Sequence, residues 1–338
     1  MADRQFSAFG STEPLFDPKG DRIRWCCPEF VDDAGKLTRI LETARHAGAS
    51  SGVSRISLRA FSDIDLAEHF RRLIVGSGFR IEAVIDPGRT DGCRMTYLGW
   101  CGPGRQDHDT DAEAERLLVK SVTSQRMPEI HELQQEVDAQ EVFDLVDYTG
   151  KPFAPSDAAD LVAMHRQNFP RFPYDFEQKL DILRQQPETY LQVVLRSRLD
   201  GKIHAFSNLE LNTVRLSDGR AFVLAEYDNT MKRTDARKDH PTVDGTGRMV
   251  RLQLARLAAA RGVDFCYSES RSSLVAINRI SYQIGMHYGG KLLKHLLISG
   301  ETDIEYRAPS RFESMNIWFF ETGRLASLIQ AALSQPCQ

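Results

Sequence analysis

Ala221-Phe222-Val223-Leu224-Ala225-Glu226-Tyr227-Asp228-Asn229-Thr230-Met231, followed by Gly245-Thr246-Gly247-Arg248, is the stretch on which the fold turns. The first run reads as a strand. Residues two apart on a strand share a face, so Leu224, Glu226, Asp228 and Thr230 project together, and Val223, Ala225 and Tyr227 point the other way. Two carboxylates therefore face one side. An amine nucleophile with a pKa near 10 must lose a proton before attacking at pH 7, a cost of about 3 units or roughly 4 kcal/mol, and a partly buried carboxylate can take that proton. The plain alternative is a solvated strand face. The second motif opens a helix ending at Arg261-Gly262, with Val250, Leu254 and Leu257 on its inner face. Its start exposes unpaired amides and the positive end of the helix dipole, which suits phosphate, and the glycines allow close backbone approach. The spacing is neither that of a Walker loop nor that of a dinucleotide fingerprint, so an ordinary loop is the competing reading.

Upstream, Val142 to Asp147 reads as a strand, Pro155-Ser156 opens a helix carrying Leu161, Met164 and His165, and a second helix spans Asp175 to Gln186. Tyr190 to Arg196 and Ile203 to Val214 then join Ala221 to Met231 in an antiparallel meander. Downstream come a buried strand Val263 to Ser268, a helix capped by Ser272 or Ser273 and ended by Gly285, and closing strands Tyr288 to Ile298 and Met315 to Phe320. The predicted order is β, α, α, β, β, β, α, β, α, β, β. His165 and His204 fall on regular elements and read as packing residues.

Ahead of this part lies a smaller one. Ser54 to Phe61 alternates like a half-buried strand, a helix carries Leu66, Phe70, Leu73 and Ile74, and Phe79 to Ile85 with Arg94 to Trp100 flank Asp86-Pro87-Gly88 as a hairpin. These predict a β-α-β-β unit. The domain reading is an arm at 1–22, a small α/β unit at 23–105, a helical connector at 106–140 with Leu117, Leu118 and Val122 as its apolar positions, the larger part at 141–325 and a tail at 326–338. Helix, Gly78-Phe79, strand, turn and strand also echo helix, Gly285-Met286, strand, loop and strand.

The 338 residues hold 43 basic and 47 acidic side chains, a balance of −4, which argues against a polybasic nucleic-acid binder. With 41% hydrophobic and 27% charged residues the chain has the composition of a soluble globular protein. There is no apolar run of membrane-spanning length and no apolar signal core at Met1 to Gln5, so the expectation is a cytoplasmic protein that engages no membrane. Cys26, Cys27, Cys93, Cys101, Cys266 and Cys337 lack paired spacing, which argues against zinc and against a disulfide scaffold.

The element order, the Ala225-Glu226 pair before a Gly-x-Gly helix start, and Gly285-Met286-His287-Tyr288-Gly289-Gly290 resemble the GNAT superfamily of N-acetyltransferases. More narrowly, Asn278, Gly285, Tyr288-Gly289-Gly290, Ile298-Ser299-Gly300 and Phe312-Glu313-Ser314-Met315-Asn316-Ile317-Trp318 resemble the tail of the β-lysine N-acetyltransferases of bacteria and archaea. The GNAT resemblance covers residues 142 to 320, and the small N-terminal unit is similar to the front of the narrower family. It implies an α+β GNAT acyltransferase fold built on a mixed sheet, joined to a partial GNAT-like unit.

It also implies acetyl-CoA, or another acyl-CoA, as co-substrate in a wedge between two splayed strands, a small-molecule amine as partner, and no metal; a homodimer is left open. On this resemblance Asn229, Thr230 and Met231 pair with the pantetheine arm, Gly245, Thr246, Gly247 and Arg248 take the pyrophosphate, and Asn278 lies near the cofactor. Glu226 and Asp228 are the candidate bases, and Phe172, Tyr174, Glu313 and Asn316 the candidate acceptor-site residues. Two departures stand out. The pattern Q/R-x-x-G-x-G/A appears as Thr242-Val243-Asp244-Gly245-Thr246-Gly247, with Arg237 and Lys238 as substitute cations. Ser281, with Tyr282 beside it, stands where many members carry a tyrosine that protonates the leaving thiolate. The implied activity is transfer of an acetyl or other short acyl group to an amino-acid-like amine such as β-lysine. The rival readings are another small amine or hydroxylamine, or a non-catalytic ligand-binding module.

Overall fold

The computed structural model describes residues 13–18, 20–102, 105, 112–129, 132, 142–169, 176–233, 245–296, 312–321, 323, 324 and 327. Most of the arm and tail, Phe172, Tyr174, Arg237, Lys238, Thr242 to Asp244 and Ile298-Ser299-Gly300 lie outside these residues.

The elements are β1 (Leu15–Asp17), β2 (Arg22–Phe30), α1 (Ala34–Ser51), β3 (Arg55–Ser62), α2 (Leu66–Gly76), β4 (Arg80–Ile85), β5 (Arg94–Cys101), α3 (Ala112–Thr123), β6 (Phe143–Asp147), α4 (Pro155–Asn168), α5 (Phe176–Gln185), β7 (Tyr190–Ser197), β8 (Ile203–Arg215), β9 (Ala221–Lys232), α6 (Thr246–Ala260), β10 (Phe265–Arg271), α7 (Val275–Gln283), β11 (His287–Leu296) and β12 (Glu313–Phe319). From β6 onward this is the predicted order. The first part is β-α-β-α-β-β rather than β-α-β-β. The extra helix, α1, is capped by Asp33, which accepts from the Lys36 amide at 2.8 Å, and stopped by Gly52 at φ 65°. Its stripe of Leu37, Ile40, Leu41 and Ala44 carries the helical period, and all four are buried.

One sheet of mixed direction runs through both parts, in the order β1-β2-β3-β5-β4-β11-β12-β10-β9-β8-β7-β6. Its halves repeat one topology. β2 is parallel to β3, which continues antiparallel through β5 to β4; β9 is parallel to β10, which continues antiparallel through β12 to β11. Gly78 and Gly285, at φ 79° and 95°, occupy equivalent turns. The halves join edge to edge where Ala83 faces Gly290. A Cβ on Gly290 would collide with the Glu82 carbonyl oxygen, and one on Gly289 would meet the Val84 oxygen at 2.7 Å. Gly289-Gly290 is thus where only bare backbone lets two half-sheets close up.

The sheet folds back so that the halves also pack face to face. Cys26, Phe30, Phe61, Met95 and Tyr97 form one apolar cluster with Phe222, Leu224, Phe265, Tyr267 and Ile317. Phe61 stacks on Phe222 with centroids 5.8 Å apart, and the Phe30 amide donates to Ser217 Oγ at 3.1 Å. β3 is therefore buried on both faces, not half-buried: Ile56, Leu58 and Ala60 lie under α1 and α2, while Arg55, Ser57 and Arg59 turn toward the second half. α6 covers the outer face of the second half, and α4 and α5 cover its inner face beyond the reach of the first. In the connector the apolar positions divide. Val122 is buried and Leu117 half exposed, and Glu115 is buried through Lys291 Nζ at 2.9 Å and Ser272 Oγ at 2.5 Å. Cys26, Cys27, Cys93, Cys101 and Cys266 are buried free thiols. Among the described residues no helix is long and apolar enough to cross a membrane, and no group of three or more His, Cys, Asp or Glu is placed to hold a metal.

Candidate active site

β9 and β10 pair in parallel from Leu224 opposite Phe265 to Tyr227 opposite Ser268, and then part. β9 continues to Lys232 and β10 to Arg271, with no register between them among the described residues. The divergence begins at a bulge. β8 sets Asn208 opposite Asn229 and Leu209 opposite Tyr227, so Asp228 is one residue too many and β9 bends away. A cavity of about 530 Å³ opens between the strands, within the range of small-ligand sites.

The bulge also resets which way side chains point. Glu226, Asp228 and Asn229 face inward toward the first half and α5. Met231 packs with Leu161, Phe176 and Phe206 on that side. Thr230, expected beside Glu226 and Asp228, is turned to the α6 side, where its Cγ2 lies 3.8 Å from the Cβ position of Gly247 and its Oγ1 lies 2.9 Å from Ser207 Oγ. Strict alternation fails at Asp228 because the extra residue shifts the period by one.

The two inward carboxylates have unlike surroundings. Asp228 Oδ2 is 2.8 Å from Lys179 Nζ and accepts from Asn208 Nδ2 at 2.9 Å. Burial would raise its pKa, yet the Lys179 ammonium overrides this and holds it below the ordinary value. Glu226 Oε2 accepts from the Tyr267 hydroxyl at 2.8 Å, and the Arg59 guanidinium is 3.5 Å away. Burial, and then repulsion from Glu269, push Glu226 up to about 7. Glu269 is itself paired with Arg59 at 2.7 Å and accepts from the Tyr97 hydroxyl at 3.0 Å. Arg59 and Tyr97 belong to the first half, which thus helps build the site. So does Arg24. It lines the cavity, and although burial works against its charge, Glu226 and Glu269 keep its pKa above the ordinary value; among the described residues its side chain makes no hydrogen bond or ion pair.

Asn229, Thr230, Met231 and Gly247 line the cavity. Gly245, at φ 103°, stands at the N-cap of α6, and its carbonyl accepts from the Arg248 and Met249 amides at 2.8 and 3.0 Å, so the positive end of the helix lies at the mouth of the slot. Thr246 is buried there, and Arg248 turns to Gln283 at 3.1 Å.

Several predicted site residues are engaged elsewhere. Asn278 is fully buried; its Nδ2 donates to the Arg271 and Leu274 carbonyls, and its Oδ1 accepts from Asn316 Nδ2 at 2.9 Å and Trp318 Nε1 at 2.8 Å. Asn278 and Asn316 therefore clamp α7 to β12 rather than face a ligand. Glu313 grips Arg271 at 2.5 and 2.8 Å. Tyr282 donates to the Gln125 carbonyl at 2.6 Å, on the side away from the slot, and Ser281 is a buried acceptor for Arg251. His165 stacks on Phe176 and His204 packs on Phe143, as expected of packing residues.

Arg24, Arg59, Lys179, Arg251, Tyr267 and Glu269 were missed as site residues. The signals were present but local: Arg22-Ile23-Arg24 and Tyr267-Ser268-Glu269 each set two polar groups on one strand face.

No family model and no curated protein matches the sequence. Among solved structures, Arabidopsis thaliana NAA60 in complex with acetyl-CoA is similar at 14% identity, covering 53% of this chain and 97% of that one with a TM-score of 0.41. Spermidine N-acetyltransferase from Vibrio cholerae, in complex with CoA and spermine, is similar at 11% identity, covering 55% and 99% with a TM-score of 0.40. At such scores these likenesses carry no argument about ligand or substrate.

Proposed function

We propose that the chain is a GNAT-type N-acyltransferase, moving an acetyl or other short acyl group from a CoA thioester to the amine of a small amino-acid-like acceptor such as β-lysine. The observation that carries this reading is the open slot beside β9 with Glu226, raised to about 7, on its inner wall. The pantetheine arm fits against the unpaired edge of β9 at Asn229 to Met231. The pyrophosphate fits the start of α6 at Gly245 to Arg248, where the positive end of the helix dipole favours an anion.

Glu226 takes the proton of the incoming ammonium, since a carboxylate with a pKa near 7 is matched to work at neutral pH. Asp228, held anionic by Lys179, shapes the field and is not the base. An acceptor carrying a carboxylate would meet Arg24, whose guanidinium is uncommitted and borders the same space. The N-terminal half supplies the cations Arg24 and Arg59.

The test has two stages. Acetyl-CoA at millimolar concentration should raise the melting temperature by ligand linkage, and a panel of amines should then elicit stoichiometric release of free thiol. Absence of any shift with acetyl-, propionyl- or succinyl-CoA would remove the basis of the proposal. A shift without turnover on any amine would leave a ligand-binding module in its place.

A further inference from the structure

A second charged group lies at the opposite wall of the slot. Arg251 reaches from α6 to the point where β9 and β10 part, and it is 1% exposed. Its Nη1 donates to Ser281 Oγ and its Nη2 to Ser268 Oγ, both at 2.7 Å, and its guanidinium carbon lies 4.0 Å from the centroid of the Tyr227 ring. Among the described residues its Nε has no hydrogen-bond partner, and no carboxylate pairs with it. The groups that act on its charge are Tyr227 and Cys266, neither of them anionic at neutral pH. Burial lowers it to about 10, so it remains cationic. A buried cation with no counter-ion is costly, and the cost is offset when an anion arrives.

The serines define where that anion can be. Ser281 accepts from Arg251 and gives its own proton to the Ile277 carbonyl at 3.0 Å, so it has none to offer. Ser268 Oγ accepts from Arg251 and lies 3.0 Å from Ser270 Oγ. Ser270 lines the cavity. With Ser268 donating along the chain, the Ser270 proton meets the Ser281 oxygen at 3.5 Å, a long hydrogen bond that an anion in the slot would displace, and the guanidinium behind polarises the hydroxyl.

We propose that the Ser270 hydroxyl hydrogen-bonds the sulfur that departs in acyl transfer, and that Arg251 is the positioning residue that charges this hydrogen bond through Ser268. This assignment rests on the acyltransferase reading. In the step, Glu226 first passes the ammonium proton on to water; the amine lone pair then forms the C–N bond, the C–S bond breaks with both electrons on sulfur, and the surplus N–H proton of the new amide passes to Glu226. The thiolate leaves as an anion, so no proton donor is consumed. The guanidinium and its three serines take the place in which the resemblance sets a tyrosine, and Ser281 is the residue whose small size admits them.

The test is the titration of CoA bound to the full chain, followed by thiolate absorbance against pH, in the wild type and in Ser270→Ala, Arg251→Met and Arg251→Lys. The wild type should ionise the bound thiol at a pH about one unit lower than Ser270→Ala or Arg251→Met, a tenfold difference in ionisation constant. Arg251→Lys should recover part of it. In turnover, Ser270→Ala should lower kcat about tenfold with little change in the acceptor KM. If Arg251→Met does not fold, Ser270→Ala decides alone. Binding of CoA with equal midpoints in wild type and Ser270→Ala overturns this assignment while leaving the acyltransferase reading in place. Failure of every protein to bind CoA overturns both.

Discussion

Lys179 sets its ammonium 2.8 Å from Oδ2 of Asp228, while Glu226, earlier on the same strand, has no lysine beside it. One contact thus separates two carboxylates that the sequence presents as a matched pair. Asp228 is held ionised, and Glu226 is left poised near neutrality.

Glu226→Gln should lower kcat by about 10²- to 10⁴-fold, the usual worth of a positioned general base, with donor binding retained. In the wild type, the rate should rise with pH through about 7, because only the deprotonated carboxylate accepts a proton. A kcat profile with no limb between pH 6 and 8, or a Gln variant with undiminished turnover, would assign the base elsewhere.

The same substitution should stabilise the fold at alkaline pH. A carboxyl whose folded pKa is raised from 4.5 to about 7 contributes stability below pH 4.5 that is lost as pH rises through 7. Glutamine has no such loss. Denaturant unfolding at pH 8 should therefore favour Glu226→Gln over wild type by up to about 3 kcal/mol, and the gap should close near pH 4.5.

Lys179→Met should destabilise the protein by about 3 kcal/mol, because it leaves Asp228, with Glu210 at 3.9 Å, as buried carboxylates without their cation. The double variant Lys179→Met with Asp228→Asn should recover part of that loss. The pair's contribution should fade as pH falls through the depressed pKa of Asp228, below the ordinary carboxylate range. Chemical denaturation at pH 7 and pH 3 measures both effects.

Arg24→Met should raise the KM for a carboxylate-bearing acceptor by about 10- to 100-fold, the worth of one hydrogen-bonded ion pair, with the KM for its decarboxylated analogue unchanged. Equal effects on both acceptors would remove Arg24 from the acceptor site.

Gly290→Ala should cost about 3 kcal/mol or more, since the new methyl would collide with the Glu82 carbonyl and the Ala83 backbone of β4 and Gly290 holds φ 140°. A melting temperature within 2 °C of wild type would show that the half-sheets separate without strain.

Tyr288-Gly289-Gly290 and the stretch around Asn316 and Trp318 are legible as a motif, and within it the resemblance sets Asn278 near the cofactor and Asn316 in the acceptor site. Asn278, Asn316 and Trp318 close on one another, and Gly290 lies against Ala83. A conspicuous residue pattern marks a constraint without naming it. Close packing between strands demands particular residues as strictly as a substrate does.

Local order determined the elements. Hydrophobic period, capping residues and glycine stops act over fewer than ten neighbours, and so the succession from β6 to β12, the strand carrying Glu226 and the helix start at Gly245 could be read from the chain alone. Tertiary structure alone decided that the sheet folds back, that the arginines of the first half face the carboxylates of the second, and that Glu226 and Asp228 part company. Charge and proton affinity depend on burial and on partners 150 or more residues away, such as Arg59 against Glu226, and no local pattern encodes that distance.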